Sequence, residues 1–341
     1  MSHSPASADQ SIIWVLTGDR VGDNLQVLHA AEALRRPYKV KSLKILPHFA
    51  SGRLPVEASI RFLDPSSDPL GPPWPDLCLA IGRHLSMAAL WIKAQSGGTT
   101  RIALFNLPKG RHDDFDLIVV PGIYRQMDSP KICRIRFPLA TFPGNVIAAA
   151  RQSYEDQLGT MARPLNVFLV GGPQPTHRLD AGIAEAMFAR IKTGCGAAGS
   201  VFVSTSRRTP PAVTAALERS LRPQDRIYRW SPNAVANPYA GLLAHGDVFI
   251  VTDDSLSMMT EVARLGKPLV IAETPQPSRW IATRLQSIGL GRPKDIRLAA
   301  RDLVESGHAV WLGDTPRTPR FPLPDETAKV IARLIDLLPR R

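Results

Sequence analysis

The stretch TDDSLSMMTEVARLGKPLVI, Thr252 to Ile271, gathers more hydrogen-bonding groups at one helix start than a turn requires. Asp253 and Asp254 precede Ser255 and Ser257, and Glu261 follows about one helical turn later. A helix start offers unpaired N–H groups and the positive end of its dipole, so hydroxyls there suit a phosphate. Glu261 is placed to accept from paired ribose hydroxyls. Alternatively, Asp254 or Ser255 caps the helix, while Gly266 and Pro268 end it. Capping accounts for Asp254, Gly266 and Pro268, and less well for Ser257 and Glu261. The two aspartates would oppose a phosphate unless they face away or accept from sugar hydroxyls.

Three further loops follow apolar runs. In LTGDRVGDNLQ, Leu16 to Gln26, Gly18 and Gly22 allow close backbone approach, but the spacing is neither GxGxxG nor a P-loop. Asp19 and Asp23 make this loop a poor phosphate cradle; Asp23 is either the helix N-cap or a group that serves an acceptor or the chemistry. In LVGGPQPTHRL, Gly171 and Gly172 would let a ligand approach the backbone, and Thr176 can cap the next helix. In VFVSTSRRTPP, Ser204, Thr205 and Ser206 stand beside Arg207 and Arg208, a mixture suited to a diphosphate or to a solvated basic turn. KGRHDDFD, Lys109 to Asp116, reads as a solvated charged turn, and the histidines lack paired-ligand spacing, so no metal is expected. Cys78, Cys133 and Cys195 form neither a disulfide framework nor a zinc spacing, and Cys78 reads as a buried strand thiol.

These loops must be held by the elements around them. Short apolar runs alternate with amphipathic stretches, which predicts parallel sheets covered on both faces. Strands are expected near 12–17, 40–46, 77–81, 102–105 and 117–120, then near 165–170, 200–204, 226–230, 248–251 and 269–271. Helices are expected near 24–35, 85–94, 146–158, 179–192, 212–221, 256–265 and 279–287. Two series of about five strands predict an α/β protein of two doubly wound Rossmann-like domains facing a cleft. They comprise residues 1–145 and 160–341, with the break between 140 and 163. A last helical segment, 325–338, could pack back on the first domain. The chain has 341 residues with 44% hydrophobic and 21% charged, a globular composition. No apolar run reaches the roughly 20 residues of a membrane span, and the start MSHSPASADQ lacks a signal-like order, so a cytoplasmic protein is expected. The net charge of +12 favours anionic partners without choosing among them.

The blocks TGDRVGDNLQ, FNLPKGRHDDFDLIVVP, NVFLVGGP, VSTSRR and TDDSLSMMTEVARLGKP occur in an order that resembles the mitochondrial-fission ELM-type family, over roughly residues 12–335. Its bacterial members are regarded as glycosyltransferases. A more distant likeness is to GT-B glycosyltransferases, including lipid II N-acetylglucosaminyltransferase and lipid A disaccharide synthase. By that likeness Ser255, Ser257 and Glu261 match a donor-binding motif, and Gly22–Asp23 matches a first-domain loop. The resemblance implies a GT-B-like enzyme moving a sugar from a nucleotide-sugar donor to a cell-envelope glycan or lipid-linked acceptor. Gly171, Gly172, Ser204, Arg207, Asp254, Ser255, Ser257 and Glu261 would bind the donor, with Asp23 or Asp19 as base. No cofactor and no nucleic-acid partner is expected. Peripheral contact with an anionic inner membrane would suit the basic charge. The alternative is a non-catalytic adaptor that binds a membrane or a protein, because the plant member is linked to organelle division.

Overall fold

Runs of Val, Ile and Leu without polar alternation form strands that are buried on both faces, as a parallel sheet requires. The computed structural model describes residues 11–50, 55–106, 111–123, 129–174, 177–231, 234, 236–275 and 296–339. Residues group into two compact units, Met1–Ala140 with Asp325–Arg341, and Thr141–Pro324.

The first unit contains β1 (Ile13–Thr17), α1 (Val21–Ala33), β2 (Lys39–Ser42), α2 (Pro47–Ala50), β3 (Leu77–Ile81), α3 (Gly82–Gln95), β4 (Arg101–Phe105), β5 (Leu117–Pro121) and β6 (Ile132–Ile135). Its strands pair in parallel in the order β2-β1-β3-β4-β5-β6, so the direction of winding reverses between β1 and β3. The helix Thr327–Ile335 joins this unit: Val330 and Leu334 are fully buried in its core, and Arg333 donates to the Pro130 carbonyl. His29 of α1 meets the Thr327 hydroxyl at 2.8 Å.

The second unit contains α4 (Gly144–Ser153), β7 (Leu165–Val170), α5 (Ala181–Cys195), β8 (Ser200–Thr205), α6 (Pro211–Arg219), β9 (Arg226–Tyr228), α7 (Tyr239–His245), β10 (Val248–Thr252), α8 (Leu256–Arg264), β11 (Leu269–Ala272), the helix Ile296–Glu305 and β12 (Val310–Trp311). The parallel order β12-β11-β10-β7-β8-β9 reverses between β10 and β7. One face of this sheet packs Phe168, Val170, Val203 and Ile250 against Phe188 of α5 and Leu217 of α6. Val167, Leu169, Phe249 and Val251, which alternate with these residues along β7 and β10, are equally buried. Gly266 takes φ +63° directly after α8, a conformation that costs a side chain little only in glycine.

The α/β class and the doubled parallel winding are those expected from the alternating pattern. Among the described residues each sheet has six strands rather than five, because the short β6 and the two-residue β12 also pair. β2 stops at Ser42, short of residue 46, and Ile45 pairs instead in an isolated antiparallel bridge with Leu63. α1 begins at Val21 rather than at Asn24, and α2, α7 and Ile296–Glu305 are additional helices. The helix expected at 279–287 lies outside the described residues. No described helix is long and apolar enough to cross a membrane.

The packing of the last helix has a measurable consequence. Leu334→Ala should lower stability in urea unfolding by roughly 2–5 kcal/mol, the usual loss for a buried leucine. Ile335→Ala, at a side chain that is 46% exposed, should stay within about 0.5 kcal/mol. Equal effects of the two changes would contradict the packing.

Candidate functional site

In open α/β sheets, ligands bind beyond the carboxyl ends of the strands where the winding reverses. In the second unit that position lies between β7 and β10, whose ends lead into Gly171–Gly172 and Asp253–Ser255. The two loops are joined directly. Gly171 N–H donates to the Thr252 hydroxyl at 2.8 Å, and Gly172 N–H to Asp254 Oδ2 at 3.0 Å. Arg208 Nη1 lies 2.7 Å from the same oxygen. The Gln174 side chain donates to the Asp254 carbonyl at 2.7 Å.

The glycines are required by these contacts. A Cβ at Gly171 would overlap the Asp254 carboxylate, and one at Gly172 would overlap the Arg208 carbonyl. The group that approaches this backbone is therefore Asp254, a protein side chain, where the residue pattern suggested a ligand. Asp254 does not cap α8. Ser255 occupies the cap position, and its hydroxyl makes no capping hydrogen bond. The free N–H groups of the first turn thus remain beside Ser257, which is half-buried.

Asp253 serves the neighbouring strand end. Its Oδ1 accepts from Thr274 N–H at 2.9 Å and from the Thr274 hydroxyl at 2.6 Å. Its Oδ2 lies 3.4 Å from Arg297 and 3.8 Å from His177. Burial holds the His177 imidazole below its ordinary pKa, against the pull of Asp253 and Asp254. Ser204 is buried at the end of β8, and the Ser206 and Thr209 hydroxyls both donate to the Gly171 carbonyl. Arg207 is exposed, and Arg208 is the arginine of this pair that reaches Asp254. Thr176 lies outside the described residues, and α5 is capped instead by Asp180, which accepts from Ile183 N–H.

Glu261 sits on the buried face of α8, only 4% exposed, where the Tyr239 hydroxyl of α7 donates to its Oε2. Burial pushes its carboxyl up to about 7, against the Tyr239 hydrogen bond and the Arg264 charge. Tyr239 itself is raised well above its ordinary value, by burial first and then by Glu261.

In the first unit the reversal point lies between β1 and β3. Asn24 closes the loop after β1, accepting from Gly18 N–H at 2.9 Å and donating to its carbonyl at 2.6 Å. Asp23 is not the N-cap of α1; that position belongs to Arg20, and Asp23 lies in the first turn, 3.6 Å from the Arg20 guanidinium. Asp19 is exposed. Beside them, in the first turn of α3, His84 packs its ring 5.1 Å from Phe62 and keeps a buried Nε2 without a hydrogen-bond partner. Burial first, then Arg20 and Arg83, holds its imidazole below the ordinary histidine pKa. Arg208 was read only as one member of the Arg207–Arg208 pair, and Tyr239, Arg297 and His84 escaped the reading of the residues. Arg208 had a local signal, the Arg pair after a strand. The other three are joined to the site only by folding.

The raised Glu261 carboxyl gives a pH signature. A carboxyl whose folded pKa of about 7 exceeds the ordinary 4.5 holds its proton more tightly when folded. Its stabilising contribution is complete below about pH 4.5 and is lost as pH rises through about 7. The stability of Glu261→Gln relative to the native protein should therefore increase across that window in chemical unfolding. A difference that stays constant with pH would remove the assignment.

Comparison with known proteins agrees with this architecture. The family described as Mitochondrial fission ELM1 matches residues 21–317. The Mitochondrial fission protein ELM1 of Arabidopsis thaliana is 31% identical over 219 residues, covering 58% of this chain and 51% of that protein. The chain thus spans about half the length of this plant relative. The Rickettsia prowazekii (strain Madrid E) protein named Uncharacterized protein RP120 is 26% identical over 303 residues, 77% of this chain and 83% of that protein. Among solved structures, the S. aureus MnaA–UDP co-structure superposes with a TM-score of 0.51 at 10% identity, covering 96% of this chain and 98% of that one. That likeness is one of fold, of the GT-B kind. With the family match extending over most of its length, the chain belongs to the Mitochondrial fission ELM1 family.

Proposed function

We propose that the protein is a glycosyltransferase that takes a nucleotide-sugar donor in its second unit and transfers the sugar to a cell-envelope glycan or lipid-linked acceptor. The observation that carries this reading is the convergence at the β7–β10 reversal point of a glycine turn, an arginine and the uncapped start of α8. Uncapped N–H groups, the Ser255 and Ser257 hydroxyls and the helix dipole favour a diphosphate. Tyr239 fixes Glu261 Oε2, and Oε1 is the oxygen offered to paired sugar hydroxyls. Support also comes from the UDP held by the MnaA co-structure, a protein of the same fold. Asp23 is the proposed base, because a carboxylate beside Arg20 is ill suited to phosphate but can take a hydroxyl proton.

A second reading, an adaptor without chemistry, draws on the family membership and on Asp254, a carboxylate placed where a phosphate would gain most. Binding separates the two. Calorimetry with UDP and UDP-sugars should show saturable binding, and Glu261→Ala should weaken it by roughly 1–3 kcal/mol. Absence of nucleotide binding by the folded protein would favour the adaptor.

The base is tested by turnover. With any donor found in that screen, Asp23→Asn should release nucleoside diphosphate roughly 100- to 10,000-fold more slowly while binding the donor unchanged. Full turnover by Asp23→Asn would rule out Asp23 as the base.

A further inference from the structure

The Asp254 carboxylate holds the positions that a bound phosphate would take. It lies at the mouth of a glycine turn, accepts the Gly172 N–H at 3.0 Å and pairs with Arg208 at 2.7 Å. Backbone N–H groups of a glycine turn and a nearby guanidinium are the donors that recognise phosphate in proteins of this architecture. Here a side chain of the protein satisfies them. The fit is close enough to exclude even a Cβ at Gly171.

The arrangement is also incomplete as a structural brace. Asp254 is 1% exposed, yet its Oδ1 has no hydrogen-bond partner. A buried carboxylate oxygen without a donor is costly. Arg208, by contrast, is 34% exposed at its side chain and can reach solvent. A phosphate that draws Arg208 away leaves the Asp254 charge buried and unpaired, which opposes binding strongly.

We propose that Asp254 is a resident anion in the phosphate subsite of the second unit, against which a ligand's phosphate must compete for Arg208 and the Gly172 N–H. Asp254 is then the residue that sets how weakly this site holds diphosphates. The inference rests on placing the donor phosphate at the β7–β10 crevice, but it makes a statement about inorganic anions that does not need a nucleotide.

The test uses the full chain and two probes, inorganic pyrophosphate and UDP. Removing the carboxylate in Asp254→Ala frees both donors and should lower the melting temperature. Millimolar pyrophosphate should then raise it by several degrees, while the native protein shifts by less than about one degree. Asp254→Asn, which keeps the volume and an acceptor for Gly172, should respond in the same direction. Arg208→Ala added to Asp254→Ala should abolish the response, which excludes a general effect of lost negative charge. UDP should bind Asp254→Ala at least tenfold more tightly than it binds the native protein.

If neither variant regains stability in pyrophosphate, or if the response survives loss of Arg208, Asp254 is a structural strut and the inference is wrong. UDP bound equally by native and variant proteins likewise overturns it and leaves the nucleotide reading standing. Pyrophosphate rescue without any UDP binding does the opposite: the resident anion stands and the nucleotide reading falls.

Discussion

The joint between Gly172 N–H, the Asp254 carboxylate and Arg208 holds together the loops that follow β7 and β10 in the second unit. Strands β7 and β10 are neighbours in space but their following loops are 82 residues apart. Something must hold those loops in register once the ladder of backbone hydrogen bonds ends. The carboxylate does so, with the Thr252 hydroxyl on Gly171 N–H as a second tie. Placing a charge there commits the fold to a partner, because an unpaired carboxylate in that position would cost several kcal/mol. Arg208 is that partner, and its own backbone carbonyl in turn demands glycine at position 172. The carboxylate thus demands glycine at position 171 and sets the direction of the Arg208 side chain, whose backbone carbonyl demands glycine at 172.

The same logic repeats along the sheet. Asp253 ties the ends of β10 and β11 through Thr274 and is balanced by Arg297. At the edge beside β8, Asp225 accepts from Val201 N–H and pairs with Arg222 at 3.0 Å. Each buried aspartate joins backbone from separate segments and carries an arginine. Glu261 stands apart from this pattern. Its hydrogen-bond partner is a neutral phenol, and burial raises its carboxyl against both that hydrogen bond and the Arg264 charge. A carboxyl kept near neutrality on the helix that follows β10 is suited to exchange a hydrogen bond or a proton, whereas the aspartates are suited to hold shape.

How much of this was legible along the chain follows from the range of each interaction. Leu77–Ile81 is apolar, Leu165–Val170 is apolar but for Asn166, and both are free of Gly and Pro and long enough to stand out as strands. Ile132–Ile135 carries an arginine in four residues, and Val310–Trp311 has only two residues; both are strands because a neighbour offers them an edge. The seven residues of α7 hold Gly241 and follow Pro238, so no periodicity marks the helix, and Tyr239 went unread with it. The glycine turn, the serines and the acidic pair were visible as groups. The capping alternative for Asp254 fails, because there local rules compete with tertiary ones. Asp254 has the residue type and position of a helix cap, and it was captured by a glycine from a distant strand.

The buried acids also shape what the molecule shows to its surroundings. Asp225, Asp253 and Asp254 are each at most 3% exposed, and each is matched by an arginine of its own. These pairs cancel internally and leave the formal surplus of +12 to the remaining surface. A field of that sign concentrates anions near the protein whatever the chemistry inside. On the proposed reading, attraction from outside and refusal at the glycine turn act in sequence. Long-range charge would draw in an anionic ligand, and the resident carboxylate would decide how firmly its phosphate is held. A site built this way favours ligands whose affinity comes from several groups at once, such as a base, a ribose and a sugar, over those that offer phosphate alone.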